Sequence, residues 1–332
     1  MSRKPTMNDV AKLAGVGRGT VSNYINGQKV KEENRLKIQK AIDELGYVPN
    51  LQAKELRTSI NTEVVFIVPT NWTPFFSEMI FYMQKHLGRF GYKMILENSH
   101  SSPEEEKDIL QMAALNQVAG VITMSYSDLY NFIDFKKKLN LVSIEQFVAP
   151  EVPLISSDNK AGGRLAAKKL IEMKKKNILL IRRDVHHYNA TDIRAKAFKE
   201  YMRGKKVKVD EFSASLKDTY RQEIVEFLKQ KLISKQYDGI FAVTDEYALV
   251  AKEAIGVIQP DLLKEIEIIG FDGARGSKES RIKVDSIQQP IEDIIKEAVS
   301  VLIRKIKGEE IGNNYKKILP VSFVKAEKLM GE

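Results

Sequence analysis

Two groups of polar side chains in this 332-residue chain have types and spacing suited to recognition, and neither has the spacing of a catalytic set. The first runs from Gly17 to Asn26. At helical spacing, Arg18, Gly19, Thr20, Ser22 and Asn23 are exposed while Val21 and Ile25 face inward. Arg, Thr, Ser and Asn can reach base edges and phosphates in a major groove. The second group stands at the ends of short apolar runs: Trp72, Phe75, Ser125, Glu145, Arg194, Asp245, Asp272 and Gln289. Carboxylates, an arginine and aromatic rings together suit a polyol, whose hydroxyls need both donors and acceptors. Catalysis finds no comparable set. The four histidines (His86, His100, His186 and His187) lack metalloprotease spacing, and the chain has no cysteine, nucleophile elbow or P-loop. Gly270, Gly273 and Gly276 do not form the dinucleotide fingerprint. No enzyme, cofactor or metal is expected.

The elements that must position the first group are short helices. Val10, Leu13 and Ala14 form one apolar stripe, Val16, Val21 and Ile25 another, and Ala14-Gly15-Val16 joins them tightly. Thr6 can cap the first helix. A glycine-containing turn between two such helices is the helix-turn-helix pattern. A third helix is expected over 32–45, with Leu36, Ile38, Ala41, Ile42 and Leu45 apolar and Gly46 as its stop. Pro49 then breaks the chain, and Asn50 can cap a short segment at 51–57. Charge supports a polyanionic partner. Residues 1–60 hold 11 Lys/Arg against 6 Asp/Glu, a net of +5, whereas the other 272 residues contribute only +4 of the total +9.

MNDVAKLAGVGRGTVSNYING, followed by AIDELGYVPNLQAKELR, resembles the lac repressor/galactose repressor family of bacterial transcription regulators. The resemblance implies that 50–57 is a hinge helix folding on DNA, with Leu56 wedged into the minor groove beside Ala53. It extends the DNA-contacting set to Thr6, Gly17, Arg18, Gly19, Thr20, Ser22, Asn23, Asn26, Asn50, Ala53 and Leu56. It also implies a palindromic operator, a homodimer, a sugar-like effector and a periplasmic-binding-protein-like core. Gly270-Phe271-Asp272 matches a family motif whose aspartate contacts effector. Arg194 matches a ligand-gripping arginine, Asp245 a family aspartate, and Gln289 the glutamine before a proline. Gly17 and Gly19 depart from the larger residues of many members, Asn23 from a frequent arginine, and 173–177 from a usual Gly-His-Arg.

Beyond residue 60 the chain alternates buried strands with amphipathic helices, twice over. That cadence argues for an α/β core of two doubly wound subdomains. The expected division is 1–58 for the helix-turn-helix unit with its hinge, and 59–332 for the core. Subdomain 1 is expected over about 61–156 and 288–317, and subdomain 2 over about 157–287 and 318–332. The resemblance places the crossings near 156–160, 287–290 and 316–320, and a single last strand is expected over 318–324. Ligands of such sheets lie beyond the strands' carboxyl ends, where the second polar group stands. The N-terminal stretch lacks an apolar core for a secretory signal, and no apolar run approaches the ~20 residues of a membrane span. A cytoplasmic regulator is therefore expected, the alternative being a solute-binding sensor without DNA specificity. The tail after the last strand carries no heptad repeat, so a dimer and not a tetramer is expected.

Overall fold

Thr6 opens the first helix of the computed structural model, which describes residues 5–25, 28–47, 61–124, 139–184, 188–215, 219–232 and 237–327. The chain divides into two units, residues 1–61 and 62–332. In the first unit α1 (Met7–Ala14), α2 (Arg18–Ile25) and α3 (Glu32–Leu45) surround Val10, Ala11, Ala14, Val21, Ile38, Ala41 and Tyr47. Two expected core residues are instead on the surface: Leu13 is 46% exposed and Leu36 65%. Ala11 takes the inward place that Leu13 was expected to fill, because α1 turns its Val10–Ala11–Ala14 face to α3. Gly15 ends α1 at φ 64°, a left-handed conformation that glycine adopts without a Cβ penalty, and its N–H bonds back to the carbonyls of Ala11 and Lys12. The expected hinge helix at 50–57 lies outside the described residues.

The second unit contains two six-stranded sheets. The first is built from β1 (Glu63–Val68), β2 (Lys93–Asn98), β3 (Gly120–Thr123), β4 (Leu141–Ile144), β5 (Leu154–Ser157) and the late strand β11 (Lys316–Leu319). Its order is β11-β5-β4-β3-β1-β2, parallel throughout. The second holds β6 (Asn177–Arg183), β7 (Lys208–Ala214), β8 (Gly239–Ala242), β9 (Glu267–Asp272), β10 (Asp285–Gln288) and β12 (Ser322–Val324). Its order is β12-β10-β9-β8-β6-β7. Here β12 runs antiparallel to β10, so this sheet is mixed and not wholly parallel. The single strand expected over 318–324 is two strands in different sheets. Pro320, which has no N–H to give a ladder, stands between them.

Strand residues alternate between two cores, as full burial of both sheet faces requires. Val64, Phe66 and Val68 face a cluster shared with α4 (Pro74–Arg89) and α10 (Ile291–Ile306), while Val65 and Ile67 face the cluster of α5 (Pro103–Leu115). In the second lobe Ile178 and Leu180 pack on α6 (Asn159–Glu172) and α7 (Ala190–Met202). Leu179 and Ile181 pack on α8 (Tyr220–Leu232) and α9 (Asp245–Ile258). Helix α10, late in the chain, thus returns to the first lobe. A 3-10 turn spans Pro260–Lys264, and residues 125–138 lie outside the described residues.

Candidate functional site

The reading helix is set by its neighbours before any DNA is present. The Thr6 hydroxyl accepts from the Asp9 N–H at 3.4 Å, and Asp9 Oδ2 accepts in return from the Thr6 N–H at 2.8 Å, a reciprocal cap that fixes the start of α1. The Gly17 carbonyl accepts from the N–H groups of Thr20 and Val21, which starts α2. Val21 is fully buried, whereas Gly17, Arg18, Gly19 and Asn23 are exposed and Thr20 and Ser22 half-buried. The Tyr24 hydroxyl donates to Gln39 Oε1, pinning α2 to α3. The expected face is therefore presented as one surface. Asn26, Asn50, Ala53 and Leu56 lie outside the described residues.

In the second unit, the carboxyl ends of β4, β5, β9 and β10 converge where the chain passes between lobes. Arg194, 3% exposed on α7, donates from Nε to Asn159 Oδ1 at 2.7 Å and from Nη1 to the Val243 carbonyl at 2.9 Å. The same Nη1 meets Asp272 Oδ1 at 3.3 Å, and the guanidinium lies 3.7 Å from the Phe271 ring centroid. Gln289 Nε2 donates to Asp272 Oδ1 at 2.8 Å, and Gln289 Oε1 accepts from the Ser157 hydroxyl at 2.5 Å. Glu145 accepts from the Ser157 N–H at 2.7 Å and from Asn159 Nδ2 at 2.6 Å. A closed ring of hydrogen bonds results, running Glu145–Asn159–Arg194–Asp272–Gln289–Ser157. Asp272 Oδ2 accepts no hydrogen bond among the described residues.

Local packing explains why the ring forms. A Cβ on Gly163 would sit 2.2 Å from the Arg194 carbonyl oxygen, so this glycine lets α6 and α7 approach closely enough for Asn159 to reach Arg194. Asp245 Oδ2 accepts from the Gly273 N–H at 2.7 Å and Oδ1 from the Ser286 hydroxyl at 2.5 Å. Asp245 thereby holds the turn that follows Asp272. Glu145 at φ 63° and Asp272 at φ 133° are non-glycine residues in left-handed backbone, a strain that concentrates at functional sites. Burial, then the Asp272 charge, pushes the Asp245 carboxyl up to about 7. Burial also pushes Asp272 up to about 6, against the opposing pull of Arg194 and Gln289. The direction follows from burial: the Arg194 guanidinium, the Gln289 hydrogen bond and the charge of Arg183 do not offset removal of the Asp272 carboxyl from water.

The other expected site residues separate by role. Phe75 is 8% exposed and packs with Phe76 in the core of the first lobe, and Trp72 is 92% exposed on the loop before α4. Glu145 and Asp245 spend their oxygens on the protein itself. Ser125 lies outside the described residues. Asn159 and Ser157 were missed as site residues. Their signal was present: Ser157-Asp158-Asn159 is a polar triplet at a strand's carboxyl end, like those that drew attention to Asp245 and Asp272. No His/Cys/Asp/Glu group fit for a metal and no helix long and apolar enough to cross a membrane occurs among the described residues.

A helix-turn-helix reader joined to a two-lobed α/β core with a polar ring at its crossings defines a ligand-governed DNA-binding regulator. Residues 6–50 match the family of bacterial regulatory proteins called lacI, and residues 64–310 match the periplasmic binding protein domain. The chain is 32% identical over 325 residues to the sucrose operon repressor of Streptococcus mutans, covering 97% of this chain and 99% of that protein. This chain belongs to the lacI family of transcription regulators. Among solved structures, a periplasmic binding protein/LacI regulator of Alkaliphilus metalliredigens complexed with D-xylulofuranose is 27% identical. Its TM-score is 0.69, with 80% of this chain and 98% of that one covered. The lac repressor dimer bound to operator and the anti-inducer ONPF shares the fold at a TM-score of 0.78, 20% identity and 98% coverage of both chains.

Proposed function

We propose that this regulator occupies a palindromic operator as a homodimer in the cytoplasm and represses transcription there. A small sugar held between its lobes changes its DNA affinity. The observation that supports a sugar is the ring around Asp272. Asp272 Oδ1 is held by Arg194 and Gln289 at a point where both lobes contribute residues, and Oδ2 accepts no hydrogen bond among the described residues. Such an acceptor, fixed beforehand, suits a hydroxyl. In this reading Asp272, Arg194 and Gln289 touch the effector, Ser125 and Trp72 are further contacts, and Asp245 and Glu145 position them. Names of similar proteins point the same way, one a sucrose operon repressor and one seen with a pentulose. Residues 1–58 read DNA through α2 and a hinge, and 59–332 form the ligand-holding core.

A sugar that prefers one lobe arrangement shifts the DNA-competent population, and DNA must shift sugar affinity by the same factor. The test is a gel-shift titration of the full chain on its own promoter region with sucrose, ribose, xylulose and glucose added in turn. A sugar that moves the midpoint supports the reading. Binding indifferent to every sugar, or no sequence-selective binding, refutes it.

A further inference from the structure

Two crossings between the lobes line a second groove, outside the ring around Asp272. Asp158 lies between β5 and α6, Val321 between β11 and β12, and both border a cavity of about 420 Å³. Lys160, Arg164 and Lys168 line the same groove at four-residue intervals along α6, so their heads share one helix face at a rise of about 6 Å per step. All three are exposed. Lys160 and Arg164 have no hydrogen-bond or ion-pair partner among the described residues, and Lys168 reaches only Glu172, at 3.8 Å. Asp158, the one acidic residue of the lining, accepts at Oδ1 from the Ala161 N–H at 2.8 Å and so caps α6. Like charges four residues apart repel along a helix, a repulsion that an anion seated between Lys160 and Arg164 would relieve. Half-buried Leu165 and Tyr201 supply an apolar floor between the cations.

We propose that this groove binds a phosphorylated small molecule, with its phosphate between Arg164 and the flanking lysines and its carbon skeleton against Tyr201 and Leu165. Arginine and lysine together give the charge-assisted donors a phosphate requires. Because Asp158 and Val321 are themselves crossing residues, an occupant here touches two of the connections between the lobes. The groove is thereby placed to couple a phosphorylated metabolite to the lobe arrangement independently of the ring.

Isothermal titration of the full chain with glucose 6-phosphate, alongside glucose, tests the site. One saturable event is expected for glucose 6-phosphate that glucose does not reproduce and that Asp272→Ala retains. The double variant Lys160→Gln/Arg164→Gln, whose substitutions are at exposed positions, should weaken it at least about tenfold while its melting temperature stays that of the wild type. Four results would overturn the proposal: no saturable binding, equal affinity for glucose, a double variant within about threefold of wild type, or loss on Asp272→Ala.

Discussion

Asp272 concentrates the chemistry of the core at a single residue. It combines strained backbone, a guanidinium contact and one oxygen that accepts no hydrogen bond among the described residues. Asp272→Asn keeps its shape and removes its charge, so it should abolish the sugar response in a gel shift while operator binding by the ligand-free protein persists. An unchanged sugar midpoint would make the carboxylate structural. Arg194→Ala leaves a buried carboxylate without its cation, which costs about 3–5 kcal/mol, and thermal melting should register the loss alongside the missing response. Asp245 permits a pH test. Its folded-state value near 7 stands above the ordinary 3.8, so the folded chain holds this proton more tightly than the unfolded one. The contribution to stability is complete below the unfolded value and disappears as pH rises through about 7. Wild-type melting temperature should fall from about pH 5 to about pH 8, and Asp245→Asn should flatten that slope. Equal slopes in the two proteins would show that Asp245 does not titrate in this range.

Capping and close approach govern the elements. Thr6→Ala removes a reciprocal cap worth about 1 kcal/mol and should lower both helix content in the first unit and operator affinity, measured by circular dichroism and gel shift. Gly163→Ala forces a Cβ into the Arg194 carbonyl and should damage the sugar response though residue 163 faces no ligand. The hinge segment is tested through Leu56→Ala. If Leu56 is a minor-groove wedge, specific binding weakens strongly while non-specific binding, which rests on Lys and Arg, hardly changes. A lower melting temperature of the free protein with an unchanged specific-to-non-specific ratio would instead make Leu56 a packing residue.

For the whole molecule, more than half of the basic excess lies in the first sixty residues, so operator affinity should fall steeply with added salt. Salt-insensitive binding in a gel-shift series would contradict the charge argument. Light scattering at micromolar concentration should report a dimer, and a tetramer would refute the two-fold arrangement proposed for the operator complex.

Local signals in the sequence were enough for much of this protein. Thr6, Gly15 and Gly46 announce helix ends, and the runs at 63–69, 120–124 and 239–243 have the apolar content and length of strands buried on both faces. The exposed face around Arg18 follows from spacing alone, and the family from two dense motifs. Tertiary structure decided what depends on residues distant in the chain. Which polar strand-end residues share a ring was one such matter: Arg194 meets Asn159, 35 residues earlier, and Asp272, 78 later. Another was that Phe75 belongs to a core while Asp245 serves its neighbours. The split of 318–324 between two sheets was a third, because a strand's partners are set by the whole sheet and not by its own pattern. A local pattern records what a residue type can do. Burial and hydrogen-bond partners record what is left for it to do, and those exist only once the chain has folded back on itself.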